Sequence, residues 1–145
     1  MVDMSELRTI ACVEDEPSIR MVLRAALATV GGYEVTTYAG GPEAIAALAD
    51  APVDVVLLDV SMPGMDGQTT FRELRALPSC GHTVIIFLTA KARPEERSDL
   101  LALGAADVLV KPFDPMTLAR QVAETWYRAR CCCLSAARVD DGARA

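Results

Sequence analysis

The sequence predicts an α/β fold: a doubly wound, five-stranded parallel sheet with helices on both faces. Three observations predict it. Short apolar runs alternate with stretches of helical periodicity from the first residues onward, the pattern of β/α units. Thr9 to Val13, Val53 to Leu58 and Val84 to Leu88 are nearly unbroken apolar runs, as strands buried on both faces are. The chain has 145 residues, 52% hydrophobic and 23% charged, which suits one packed domain of ordinary size.

The elements follow in order. TIACV (Thr9 to Val13) is the first strand and ends abruptly in acid. Pro17 suits the first turn of a helix, where its missing N–H costs nothing. Ile19, Val22, Leu23, Ala26, Leu27 and Val30 follow on one apolar stripe, closed by Gly31-Gly32. Val35 and Thr37 alternate with Glu34, Thr36 and Tyr38, the signature of an edge strand. Pro42 to Asp50 is an alanine-rich second helix, stopped by Pro52. The run from Val53 leads into the loop DVSMPGMDG (Asp59 to Gly67). A third helix spans about Gln68 to Leu77, with Phe71, Leu74 and Leu77 on one face. After the strand Val84 to Leu88, Pro94, Glu95 and Glu96 open a fourth helix at its positive end, and Gly104 closes it. Ala106 to Val110 is the last strand. A fifth helix runs from about Pro115 to Arg130, with Leu118, Val122, Trp126 and Ala129 facing inward. Residues 1–130 thus form one domain. Residues 131–145 lose helical periodicity and read as a C-terminal tail, too short for an effector domain.

Composition excludes several functions. Fourteen Lys and Arg against twenty Asp and Glu give a net charge of −6. With a pI near 4.7, direct nucleic-acid binding is not the default reading. No run approaches the ~20 apolar residues that span a bilayer, so no membrane association is expected. MVDMSELR has two acids and no apolar core, so it is not a secretory signal. Five cysteines form no disulfide framework, which places the protein in the reducing cytoplasm.

The chemistry gathers at strand ends. Strand one ends in Glu14-Asp15-Glu16, strand three in Asp59, strand four in Thr89 and strand five in Lys111. Open parallel sheets bind ligands beyond their carboxyl ends, where the strand order reverses. For the flavodoxin-like order 2-1-3-4-5 that point lies between strands one and three, so Asp15 and Asp59 should meet. Crowded carboxylates repel and raise each other's pKa, and a hard divalent cation relieves them. A carboxylate can also act as a nucleophile and form an aspartyl phosphate. The metal and a nearby ammonium, here Lys111, then neutralise charge on the transferring group. The Thr89 hydroxyl can donate to a phosphoryl oxygen. Each residue alone reads as an ordinary strand-end residue; the four together do not.

VEDEP (Val13 to Pro17), LLDVSMPGMDG (Leu57 to Gly67), FLTAK (Phe87 to Lys91) and ADVLVKPF (Ala106 to Phe113) resemble the receiver domain of two-component response regulators, over roughly residues 7–130. The resemblance, with the chain's length, implies a phosphorelay receiver of the stand-alone type that accepts a phosphoryl group from a histidine kinase or histidine phosphotransfer protein. It implies Asp59 as phosphoacceptor, Asp15 as direct metal ligand, Glu14 as a ligand through water, and the Ser61 backbone carbonyl as a further ligand. It also implies Thr89 as the switch hydroxyl, Lys111 as the phosphoryl-contacting lysine, and a cis bond before Pro112. The metal would be Mg2+, with Mn2+ as an alternative. Such a domain is not an enzyme in the ordinary sense, though Mg-dependent self-phosphorylation and autodephosphorylation are implied. Output would pass to a downstream protein, not identified by the sequence, and helices four and five offer a homodimer face. Ser61 and Lys91 fall where the family tunes phosphoryl lifetime. Two departures stand out: Glu14 where aspartate is commoner, and Val108 where an aromatic usually reports phosphorylation.

Other features read more plainly. Cys131 to Cys133 lack the spacing of a zinc site and read as a helix terminus. Cys12 reads as core and His82, the only histidine, as surface loop. Arg120, Arg128, Arg130 and Arg138 make the C-terminal region locally basic, either a solvated face or a partner surface. A receiver fragment of a longer regulator would look the same. An aspartate-dependent phosphatase would pair its nucleophile and acid as two aspartates at the end of strand one, where this chain has Glu14-Asp15-Glu16. A flavin-binding module would need free N–H groups there, and EDEP offers repulsion.

Overall fold

The computed structural model of the chain describes residues 7–90 and 93–130. Five strands, β1 (Thr9–Val13), β2 (Glu34–Tyr38), β3 (Val55–Asp59), β4 (Val84–Thr89) and β5 (Asp107–Val110), form one sheet in the order β2-β1-β3-β4-β5. All four strand pairs are parallel. The register sets Val13 beside Leu58 and Asp59 beside Leu88, so the ends of β1, β3 and β4 share one edge.

The helices are α1 (Pro17–Arg24), α2 (Gly41–Asp50), α3 (Gly67–Ala76), α4 (Pro94–Leu103) and α5 (118–130). Period-two alternation along the strands divides the core into two layers. Ile10, Cys12, Val55, Leu57, Ile86 and Leu88 pack under α1 and α5, against Leu23, Leu27, Leu118, Val122 and Trp126. Ala11, Val13, Val56, Leu58, Ile85 and Phe87 pack under the other three helices, against Leu48, Phe71, Leu74 and Leu100. Both layers are closed, which fixes the sheet as a rigid mount for its carboxyl-end loops.

Local signals set the helix ends. Glu16 caps α1 by accepting from the Ser18 N–H, and Pro17 takes the first turn. Asp66 caps α3 by accepting from the Thr69 N–H at 2.9 Å. Gly104 ends α4 at φ 116°, in the left-handed region that suits glycine.

The structure corrects two expectations. Val22 and Val30 do not face the core: they are 40% and 47% exposed. Only Leu23, Ala26 and Leu27 of that stripe are fully buried, because the face turned to the sheet is narrower than the apolar stripe. Ala25–Val30 continues α1 as a π-helical stretch, and its wider turn carries Val30 off that face. The fifth helix begins at 118 rather than 115. The Asp114 carbonyl accepts from both Thr117 and Leu118 and its carboxylate from Met116, so residues 115–117 form a tight capping turn. Cys12 is buried, with its thiol pushed up to about 12 by burial, and His82 is exposed. Among the described residues no helix is long and apolar enough to cross a membrane. Lys91, Cys131 to Cys133 and Arg138, and with them the expected tail 131–145, lie outside the described residues.

Candidate functional site

The strand ends converge on an acidic pocket. Glu14 and Asp15 follow β1 directly, and Asp59 is the last residue of β3. One carboxylate oxygen from each lies within 4.8 Å of the others. Glu14 and Asp59 are buried and Asp15 is half-buried. Lys111, just past β5, spans two of the acids: its Nζ lies 2.7 Å from Glu14 Oε1 and 3.2 Å from Asp59 Oδ1. The Lys111 N–H donates to the Thr89 carbonyl at 2.8 Å, which ties the ends of β4 and β5 together. The Lys111–Pro112 bond is cis.

Arg20 fixes the backbone of Glu14 and Asp15 without drawing on their carboxylates. Arg20, on the first turns of α1, donates from Nη1 to the Glu14 carbonyl at 2.8 Å and the Asp15 carbonyl at 3.1 Å. The Glu16 N–H reaches Glu14 Oε2 at 3.2 Å. Both Glu14 oxygens are therefore engaged, whereas no described side chain bonds the Asp15 carboxylate. The Ser61 N–H donates to Asp59 Oδ1 at 3.2 Å. Gly67 opens α3 hard against the Asp59 carbonyl and the Val60 Cα, in space that a side chain would need. Its N–H donates to the Val60 carbonyl at 2.9 Å. Glycine there lets α3 begin beside the acid.

Electrostatics follow from the crowding. Burial pushes the Glu14 carboxyl up to about 7, against the pull of its hydrogen bond to Lys111. Burial also raises Asp59, against the Lys111 ammonium. Burial alone would lower Lys111, but its Glu14 hydrogen bond and the two nearby acids outweigh that and hold it above its ordinary value. One cation against three acids leaves negative charge that a divalent cation would meet. The donor set is oxygen only, which suits a hard ion such as Mg2+.

Thr89 is buried at the end of β4, one residue beyond the register partner of Asp59. Its hydroxyl donates to Glu96 Oε1 on α4 at 3.1 Å. Val108 is buried on β5, and its carbonyl accepts from Arg97 Nη1 at 3.0 Å. The sequence reading missed Arg20 and assigned Glu96 only to the helix end. The available signals were a base one turn after an acidic loop and an acid seven residues after a strand-end hydroxyl, and neither spacing is distinctive. Beside the acids an apolar cavity of about 440 Å³ opens between Ile19, Val22, Ala90, Lys111, Pro112 and Phe113. Exposed Val22 is one of its walls.

Comparison with known proteins agrees with this layout. The sequence profile described as the response regulator receiver domain matches residues 10–123. Response regulator PleD of Caulobacter vibrioides is 39% identical over 110 residues, covering 76% of this chain and 24% of PleD. The chain thus spans about a quarter of that relative's length. Vibrio cholerae chemotaxis protein CheY4 superposes with a TM-score of 0.77 at 36% identity, covering 83% of this chain and 99% of that one. The receiver domain of the Pseudomonas aeruginosa sensor histidine kinase PA1611, solved with a magnesium ion coordinated in its active-site cleft, superposes with a TM-score of 0.74 at 34% identity, covering 84% and 98%.

Proposed function

The chain belongs to the response regulator receiver domain family, whose members are phosphoacceptor signalling domains, and we propose that here Asp59 is the acceptor, in a domain spanning residues 1–130. The observation that carries this reading is the convergence of Glu14, Asp15 and Asp59 within 4.8 Å under one lysine. A carboxylate must be ionised to attack phosphorus, and Lys111 opposes the effect of burial on Asp59.

Asp59 attacks the phosphorus of a phosphohistidine on a histidine kinase or phosphotransfer protein. The new O–P bond forms as the N–P bond breaks, and the imidazole leaves with a proton from solvent. Lys111 sits to meet the charge gathered on the phosphoryl oxygens. Asp15 and Asp59, with the Ser61 carbonyl, would hold Mg2+ directly, with Mn2+ as an alternative. Glu14, with both oxygens engaged, would reach it through water. Such an ion supplies Lewis-acid neutralisation of the acids and of the phosphoryl oxygens. Water attack on the acyl phosphate would return Asp59 to its resting form. The apolar cavity lined by Lys111 would seat apolar side chains of the donor protein. The output is an altered contact with a downstream protein or a second copy, through α4 and α5.

The test is direct. A small-molecule phosphodonor with Mg2+ should add one phosphoryl group, read by intact mass, and Asp59→Asn should abolish it. Labelling that survives in Asp59→Asn sinks the assignment.

A further inference from the structure

We propose that Glu96 and Arg97, adjacent residues at the start of α4, form a polar relay that carries the state of Asp59 to α5. The proposal rests on the phosphoacceptor reading above. Glu96 accepts from the Thr89 hydroxyl at 3.1 Å, on the site side. Arg97 faces the other way. Its Nη1 donates to the Val108 carbonyl at 3.0 Å and its Nη2 to Asp107 Oδ1 at 3.1 Å, both on β5. The same Asp107 accepts from the Thr125 hydroxyl on α5 at 3.2 Å and lies 3.8 Å from Arg128 Nη2. Two runs of hydrogen bonds, joined by the peptide link between residues 96 and 97, therefore lead from Thr89 to α5.

The relay has a reason to move. A hydroxyl has one proton to give. A phosphoryl group on Asp59 brings charged acceptor oxygens and roughly −1.5 to −2 of charge next to the end of β4. A charge-assisted bond outcompetes the existing one when the acceptor is the more highly charged. Once Thr89 turns to it, the Glu96 carboxylate loses its donor and faces a like charge, so the first turn of α4 is driven outward. Little holds that turn: Leu100 is the one buried residue of α4. Arg97 moves with Glu96, and its grip on Asp107 and Val108 changes. Val108 has no ring to turn, and its backbone carbonyl takes part in the relay instead. Glu96 acts through Thr89 and is a positioning residue.

Hydrogen exchange of the full chain, followed by mass spectrometry with and without phosphodonor and Mg2+, tests this. Emission of Trp126, the only tryptophan and the neighbour of Thr125 on α5, is read in parallel. In the wild type, phosphorylation should speed exchange at the start of α4 by roughly 2- to 10-fold, the reach of one hydrogen bond, and shift Trp126 emission. Glu96→Ala should still take up phosphate, but exchange fast from the start and gain nothing on phosphorylation. Glu96→Gln, which keeps an acceptor oxygen, should restore slow resting exchange. Arg97→Gln should keep the α4 response and lose the Trp126 shift. A wild type that phosphorylates with α4 and Trp126 unchanged overturns the relay, as does a Glu96→Ala protein that responds like the wild type. A wild type that takes up no phosphate defeats the phosphoacceptor reading itself, and the relay with it.

Discussion

β3 carries an aspartate at each end, and the two live differently. Asp54 stands just before the strand. Its Oδ2 accepts from the Arg8 N–H at 2.9 Å, the Thr9 N–H at 3.1 Å and the Thr9 hydroxyl at 3.2 Å. Its own N–H donates to Thr9 Oγ1 at 3.0 Å. Asp54 meets only donors and closes the pairing of β1 with β3. Asp59, at the other end, meets Lys111 and one N–H but also two further carboxylates. The same residue type on the same strand is therefore structural at one pole and reactive at the other. What separates them is the sign of their neighbours. An acid answered by donors is finished, whereas an acid crowded by acids still calls for positive charge.

Metal affinity should separate the poles most widely. Asp15→Ala should weaken Mg2+ binding, measured by calorimetry, by more than the roughly 10- to 100-fold typical of losing an outer partner. Glu14→Ala should fall within that range, and Asp54→Ala should leave affinity unchanged. Equal losses for Asp15 and Glu14 would erase the distinction between direct and water-mediated ligands.

Stability should divide the poles in the opposite sense. Asp54→Ala strips a partner from three donors and should cost roughly 1–3 kcal/mol in denaturant unfolding, while phosphorylation persists. Asp59→Ala relieves crowding and should cost less. If the two variants lose stability equally, crowding is not what distinguishes Asp59.

The smallest effect is a slope. In metal-free buffer Glu14 holds its proton more tightly folded than unfolded, with a native value of about 7 against 4.5. Its contribution is full below pH 4.5 and is lost as pH rises toward 7. Asp59, also raised, acts in the same direction. Stability should therefore fall across that window, and Glu14→Gln should flatten the fall. Saturating Mg2+, which favours the ionised acids, should reverse it. A metal-free wild type with a flat profile would show that the buried acids cost the fold nothing.

The strands and the pocket were legible because each rests on a local signal. Unbroken apolar runs mark the inner strands, and a strand end followed by acid, hydroxyl or lysine marks the pocket once the strand order is assumed. What escaped depends on rotation and reach. Val22 and Val30 share a stripe with Leu23 and Leu27 on paper, but a helix shows the sheet only part of its girth, and a π-helical turn spends one residue without advancing the face. Arg20 and Glu96 act through long side chains that bridge elements, and spacing along the chain does not say which of several partners such an arm will find.

The grip of Arg20 has a further meaning. It holds the acidic loop by main-chain oxygens, so the scaffold and the ligands use separate atoms of the same two residues. Cargo can come and go from the Glu14 and Asp15 side chains while the hinge that presents them stays clasped. The pocket is thus a socket whose frame is built before anything is plugged into it.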